Sequence, residues 1–245
     1  MWKSHWKRYK KSPLPSRTGK EILLRAAFVV FSAFAIFSAA SVLSASVAVA
    51  AEDKVWDLAE RIGSGNFIAG KDKSRVELCQ ECHGEQGNAT GVGVPHLAGQ
   101  YADYILKQLR NFKSGERKHP VMNPMAQGLA EKEMGDIAAY FGSNNPMQGN
   151  GVKESGIGWN LFNRGDMKRN IMACKSCHGE HGKGQISAND IFPTIGGQRK
   201  LYLREQLFNW RAGSRNNSPD KVMNVIASAL SDDEIEALSD YISGL

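Results

Sequence analysis

All four cysteines of the 245-residue chain fall in two short motifs, Cys79-Gln80-Glu81-Cys82-His83 and Cys174-Lys175-Ser176-Cys177-His178. In a C-x-x-C-H pattern each sulfur can form a thioether to a haem vinyl group, while the following histidine is held where a ring nitrogen can bind the iron. Zinc is the first competitor for paired cysteines. A structural zinc site needs four converging ligands, usually from close spacing, whereas these pairs lie 95 residues apart and each runs directly into a histidine. A thiol–disulfide redox pair has no need of that histidine, and a disulfide within C-x-x-C would close a very small loop. The spacing therefore reads as two covalently bound haem c groups, with Cys79, Cys82 and His83 serving one and Cys174, Cys177 and His178 the other.

Haem iron takes a second axial ligand, and a comparison of the chain with itself supplies candidates. Around the motifs the copies match at an offset of 95, pairing Gly70 with Gly165 and His83 with His178. Further on the offset becomes 98, and Pro95, Gly99, Gln100, Tyr104, Gln108, Gly115 and Arg117 match Pro193, Gly197, Gln198, Tyr202, Gln206, Gly213 and Arg215. It ends at 101, pairing Met122-Asn123 with Met223-Asn224 and Glu133 with Glu234. Such steps are the mark of loop insertions in a repeat. The first copy offers Met122 and Met125, but Met125 aligns with Ile226. Met122 and Met223 are therefore the candidate metal ligands opposite His83 and His178.

The elements that must position these residues are helical. Tyr101, Tyr104, Ile105, Leu109 and Phe112 recur at helical spacing, as do Tyr202, Leu203, Leu207 and Trp210. Gly115 and Gly213 follow as helix-ending glycines. Ser231-Asp232-Asp233-Glu234 has the form of a capping box, opening a helix that turns Ile235, Leu238, Tyr241 and Ile242 inward; its counterpart presents Met134, Ile137, Tyr140 and Phe141. A shorter helix is expected to run into each motif from about Asp72 and Asp166. No stretch alternates convincingly as a strand, so the fold is expected to be mostly α. Asn144 to Gly151 is rich in turn formers and lacks apolar periodicity, which reads as a linker. The expected domains are 52–143 and 155–245, joined by a linker over 144–154. Each is small for a protein-only core, and an apolar macrocycle would fill part of its interior.

The formal charge of +6 is uneven: residues 1–50 hold eight of the 31 Lys and Arg with one acid, leaving 23 basic against 24 acidic residues elsewhere. Nucleic-acid binding loses its support once the leader is set aside. Basic residues from Lys3 to Arg25 precede an uncharged run, Ala26 to Ala51, ending in the small-x-small pattern Ala48-Val49-Ala50. Residues 1–50 read as a signal peptide or an N-terminal membrane anchor. Either reading exports the rest to the periplasm, and an uncleaved leader would make the protein membrane-associated.

The order C-x-x-C-H, Pro-x-Leu-x-Gly or its near match, amphipathic helix, methionine and closing helix resembles class I cytochromes c. Two such units, with Gly-Gln-x-x-x-Tyr and Gln-Leu-x-x-x-x-x-Gly after each motif, resemble the diheme cytochrome c4 family over nearly everything after the leader. The resemblance implies two tandem class I cytochrome c-like helical domains, each around one covalently bound haem. It implies that the carbonyls of Pro95 and Pro193 accept the second ring N–H of His83 and His178. Gln100, Tyr104 and Arg117, with Gln198, Tyr202 and Arg215, carry donors that could meet haem propionates, or they serve helix packing and the surface. His96, His119 and His181 lack a histidine counterpart and read as exposed; Trp56, Trp159 and Trp210 read as core or interface aromatics. The implied function is single-electron transfer, without bond chemistry, from a quinol-oxidising complex towards a terminal oxidase or reductase, with those redox proteins as partners. The alternatives are a diheme redox enzyme of peroxidase type or a haem subunit of a larger dehydrogenase or oxidase complex.

Overall fold

The computed structural model describes residues 61–187 and 190–245; the leader, Trp56 and the expected domain start at residue 52 lie outside the described residues. Helix α1 (Phe67–Val76) begins where Asn66 Oδ1 accepts from the amides of Ile68 and Ala69, at 3.0 Å each, so two donors without a partner in the helix are satisfied. It stops short of the first motif. Leu78, with a left-handed backbone (φ 59°), turns the chain into the short helix α2 (Cys79–His83). Helix α3 (Ala102–Ser114) ends at Gly115 (φ 79°), a conformation that glycine adopts freely. Helices α4 (Met122–Gln127) and α5 (Glu131–Gly142) complete the first domain, with α1 and α3 both packed on α5.

The second domain repeats this plan with changes. Helix α6 (Gly156–Asn163) packs on the closing helix, and the motif helix α7 (Lys175–His178) follows a loop. Gly70 lies so near α5 that an added Cβ would fall 1.8 Å from the Asp136 carbonyl oxygen, and Gly158 meets the Ala237 carbonyl of the closing helix at 2.2 Å in the same way. The counterpart of Gly70 is therefore Gly158, seven residues upstream of the expected Gly165. Gly165 instead opens a loop in which Asp166 and Ile171 exchange backbone hydrogen bonds at 2.7 and 2.9 Å. Asp166 caps a one-turn 3-10 helix, Met167–Arg169, rather than starting an α-helix into the motif. On the first side the expected helix does pass through Asp72, but from five residues earlier.

Strands β1 (Gln185–Ser187) and β2 (Asp190–Phe192) form a short antiparallel hairpin, against the expectation of no strand. It sits where the repeat offset steps from 95 to 98. Helices α8 (Lys200–Arg211), α9 (Val222–Ser228) and α10 (Asp232–Gly244) then follow, and helices predominate among the described residues. The capping box of α10 has both its bonds, Glu234 N–H to Ser231 Oγ at 3.2 Å and Ser231 N–H to Glu234 Oε2 at 2.9 Å. Helix α5 has only the reciprocal bond, Ala130 N–H to Glu133 Oε2 at 2.8 Å, because alanine has no side-chain acceptor.

Two hydrophobic cores result. One joins Ile105 and Leu109 of α3 to Met134, Ile137, Tyr140 and Phe141 of α5; the other joins Phe162, Ile171 and Leu203 to Ile235, Leu238 and Ile242 of α10. The first cysteine of each motif, Cys79 and Cys174, packs against the core of its own domain. Between the cores the stretch from Asn144 to Ser155 has no helix or strand, yet it is held at several points. The Met147 amide donates to Ala98 O at 3.2 Å, Gly149 to Leu245 O at 2.8 Å and Gly151 to Gly244 O at 2.9 Å. Among the described residues no helix is long and apolar enough to cross a membrane.

Candidate functional site

At the end of α2 the His83 side chain is buried, 7% exposed, and its Nδ1 lies 3.0 Å from the Pro95 carbonyl oxygen. A carbonyl only accepts, so Nδ1 carries the hydrogen and Nε2 keeps its lone pair. His178 repeats the arrangement on Pro193 at 2.9 Å. Burial pushes both imidazoles below the ordinary histidine range, against the pull of these hydrogen bonds, so both rings are neutral, as a metal ligand must be. Cys79, Cys174 and Cys177 are held away from thiolate chemistry. Burial pushes the Cys79 thiol up to about 11 and the Cys174 thiol up to about 12, and it raises Cys177 as well. A reactive redox pair depends on a lowered thiol pKa, so the surroundings argue against that reading. None of the four cysteines is in a disulfide.

Met122 is the first residue of α4 and packs, partly buried, against the first core. Met223 is the second residue of α9 and also partly buried, but in the second core the packed residue of that helix is Ile226, the counterpart of Met125. The residue after each methionine anchors its loop in the same way. Asn123 Nδ2 donates to the carbonyls of Phe112 and Arg117 at 2.6 and 2.9 Å, and Asn224 Nδ2 to those of Trp210 and Arg215 at 2.7 and 2.8 Å. Each loop is thus tied to the end of the preceding long helix.

The polar residues shared by the repeats meet one another across the seam between the domains. Arg117 donates to Gln108 Oε1 at 2.8 Å in its own domain, and to Tyr202 Oη at 3.1 Å and Gln206 Oε1 at 2.9 Å in the other. Arg215 mirrors it, donating to Gln206 Oε1 at 2.8 Å, Tyr104 Oη at 3.1 Å and Gln108 Oε1 at 3.3 Å. The guanidinium of Arg117 stacks over Phe112 and that of Arg215 over the equivalent Trp210, so Trp210 is a seam aromatic. Trp159, half-buried, is covered by Arg164 in the same manner. Gln100 and Gln198 form a second symmetric set, each bound to a backbone peptide of the opposite domain. Sequence reasoning found these glutamines, tyrosines and arginines through the repeat but missed that they pair across it. His96 is half-buried at this seam rather than exposed, while His119 and His181 are exposed.

Burial pushes the Tyr202 phenol up, yet Arg117 and Arg215 outweigh it and hold the hydroxyl below the ordinary range. Both arginines are buried, and among the described residues neither is ion-paired with a carboxylate. A cavity of about 660 Å³ opens beside them, lined also by Lys118, His119, Glu116 and Glu205. Buried cations bound only to neutral acceptors fit a group that brings carboxylates, as the haem propionates do. The buried histidines, the core-packed Cys79 and Cys174 and the buried Arg117 and Arg215 all fit haem c.

Two domains of this shape, each built round a C-x-x-C-H turn, are the architecture of a tandem c-type cytochrome. Over residues 68–145, and again over 167–245, the chain matches the Cytochrome c family. It is 39% identical over 188 residues to the thiosulfate dehydrogenase electron acceptor of Stutzerimonas stutzeri, covering 75% of this chain and 86% of that protein. It is 38% identical over 187 residues to cytochrome c4 of Pseudomonas aeruginosa, covering 74% of this chain and 90% of that one. The crystal structure of reduced recombinant cytochrome c4 from Pseudomonas stutzeri superposes with a TM-score of 0.68 at 37% identity, covering 74% of this chain and 100% of that structure. The chain belongs to the diheme cytochrome c4 family, electron-transfer proteins with two haem c groups, here attached through Cys79 and Cys82 and through Cys174 and Cys177.

Proposed function

We propose that His83 with Met122, and His178 with Met223, ligate the two irons, and that the filled iron faces make the protein a carrier of single electrons without a substrate site. Bound haem supplies the one-electron couple of its iron. The protein's residues supply everything else: the cysteines fix each macrocycle, Pro95 and Pro193 orient the histidines, and Asn123 and Asn224 anchor the methionine loops. Arg117 and Arg215 offer the propionates charge at the seam. The observation that carries the reading is the repetition: each domain presents a neutral histidine with its Nε2 free and a methionine at the start of an equivalent helix. Methionine opposite histidine raises the potential and excludes substrates from the metal.

In this reading the protein works in the periplasm, taking electrons from a quinol-oxidising complex and passing them towards a terminal oxidase or reductase. A second donor, a thiosulfate-oxidising enzyme, is favoured by the relative named as a thiosulfate dehydrogenase electron acceptor. The test of the ligands is the far-red absorption band of methionine-ligated ferric haem. Met122→His and Met223→His should each remove about half of it, and Met125→Leu should leave it intact. A full-strength band in both histidine variants would overturn the assignment. Stopped-flow reduction by each candidate donor then decides between the two sources of electrons.

A further inference from the structure

The peptide that holds each histidine is itself held by the other domain. His83 Nδ1 donates to the carbonyl of Pro95 at 3.0 Å, and the N–H of that same peptide group, on His96, donates to Gln198 Oε1 at 2.8 Å. Gln198 also donates through Nε2 to His96 O at 2.9 Å, so its amide grips the residue from both sides. The mirror image runs from His178 Nδ1 to Pro193 O at 2.9 Å, and from the Thr194 N–H of that peptide to Gln100 Oε1 at 3.0 Å. Gln100 Nε2 completes this grip on Thr194 O at 2.8 Å. Both glutamines are almost fully buried, at 5% and 4% exposure. Each is pinned at the start of its own long helix, because Oε1 also accepts from the amide of Tyr101 or Arg199.

We infer that Gln198 and Gln100 are crossed positioning residues, each setting the axial histidine of the haem in the opposite domain through a single peptide group. An N–H that is hydrogen-bonded polarises its own peptide, so the carbonyl at the other end becomes a stronger acceptor. A stronger acceptor on Nδ1–H makes the imidazole a more basic ligand, which favours ferric over ferrous iron and lowers the potential. The chain His83–Pro95–Gln198 therefore lets the second domain tune the first haem, and His178–Pro193–Gln100 lets the first domain tune the second. The inference rests on the proposed ligation by His83 and His178.

The experiment is spectroelectrochemical titration of the holoprotein, with the two haems told apart by their methyl proton resonances, assigned through Met122→His and Met223→His. Gln198→Met should raise the potential of the first-domain haem with the smaller change in the second, and Gln100→Met should do the reverse. Asn111→Leu removes a different bond across the seam without changing charge, Asn217 Nδ2 to Asn111 Oδ1 at 2.7 Å, and should move neither potential. If Gln198→Met fails to fold, Gln198→Asn, one methylene short of the His96 peptide, is read in its place. A change confined to the variant's own domain, an equal change in both haems, or none while both haems remain histidine-ligated would overturn the inference. Loss of the histidine resonance pattern in the unmodified protein would overturn the ligand assignment instead.

Discussion

Two residues beyond the seam arginines the domains diverge. In the first, His119 is exposed and turns back on its own loop, where Nδ1 accepts from the amides of Val121 and Met122 at 3.3 Å each. In the second, the equivalent Asn217 is buried and reaches into the other domain, donating through Nδ2 to Gln108 Oε1 at 3.0 Å and Asn111 Oδ1 at 2.7 Å. The capping of the methionine loop passes to Ser218, whose Oγ accepts from Met223 N–H at 3.3 Å. The physical reason is the extra turn Pro219–Lys221, which separates the two tasks along the chain. Where the first domain has one residue, the second has room for two. The repeat thus keeps the histidine–proline and asparagine anchors in common, while Asn217 makes seam bonds that its counterpart His119 does not.

That comparison can be broken or sharpened by substitution. The largest effect is expected at the buried arginines. Arg117→Met strands acceptors on both domains and should cost on the order of 2–3 kcal/mol in urea unfolding. Arg215→Met should cost more, because Arg215 Nε also donates to Asn217 Oδ1 at 3.1 Å. Equal losses would show that the Arg215–Asn217 bond adds nothing to the stability of the seam. Next come the helix caps. Ser231→Ala should cost the second domain about 1 kcal/mol, and Ala130→Ser should return part of that amount to the first by completing its capping box. Thermal melts of the two variants, moving in opposite directions, would check this.

The smallest effect is expected in acid. A hydrogen bond from Arg169 holds the Glu234 carboxyl below its ordinary range, and one from Lys73 does the same for Glu133. A carboxyl whose folded pKa lies below its unfolded value stabilises the fold fully above the ordinary range near about pH 4, and that contribution fades as pH falls through the folded value. Midpoints of unfolding measured downward from neutral pH should therefore fall in the parent protein. They should fall less steeply in Arg169→Ala, which has less acid-sensitive stability to lose. An unchanged slope would assign the acid sensitivity elsewhere.

What could be seen in the sequence follows from how local each signal is. The motifs are contiguous, and the long helices announce themselves through Ile105, Leu109 and Phe112 or Leu203, Leu207 and Trp210 at helical spacing. The seam residues were visible as matches between repeats, but nothing in a match tells whether Arg117 faces its own haem or Tyr202, 85 residues away. The Gln198 amide ends on a backbone peptide, which has no residue identity to align. Gly165 misled because it, too, is a glycine at a close approach, in a loop that the first domain lacks; only the helix crossing at Gly158 reveals the true register. The hairpin was short enough for Ile186 and Ile191 to pass as loop residues, although Asn189-Asp190 is a turn signal.

The seam obeys the rule of an isologous interface, in which residue i meets j and the partner's i meets j in return. In a homodimer each substitution would strike both halves of that symmetry at once. Here the strand of backbone that passes Met147, Gly149 and Gly151 joins the halves in one chain, so either half can be altered while its twin stays intact. Every symmetric contact in this molecule thus carries its own internal control, and a question usually asked by comparing two proteins can be put to one.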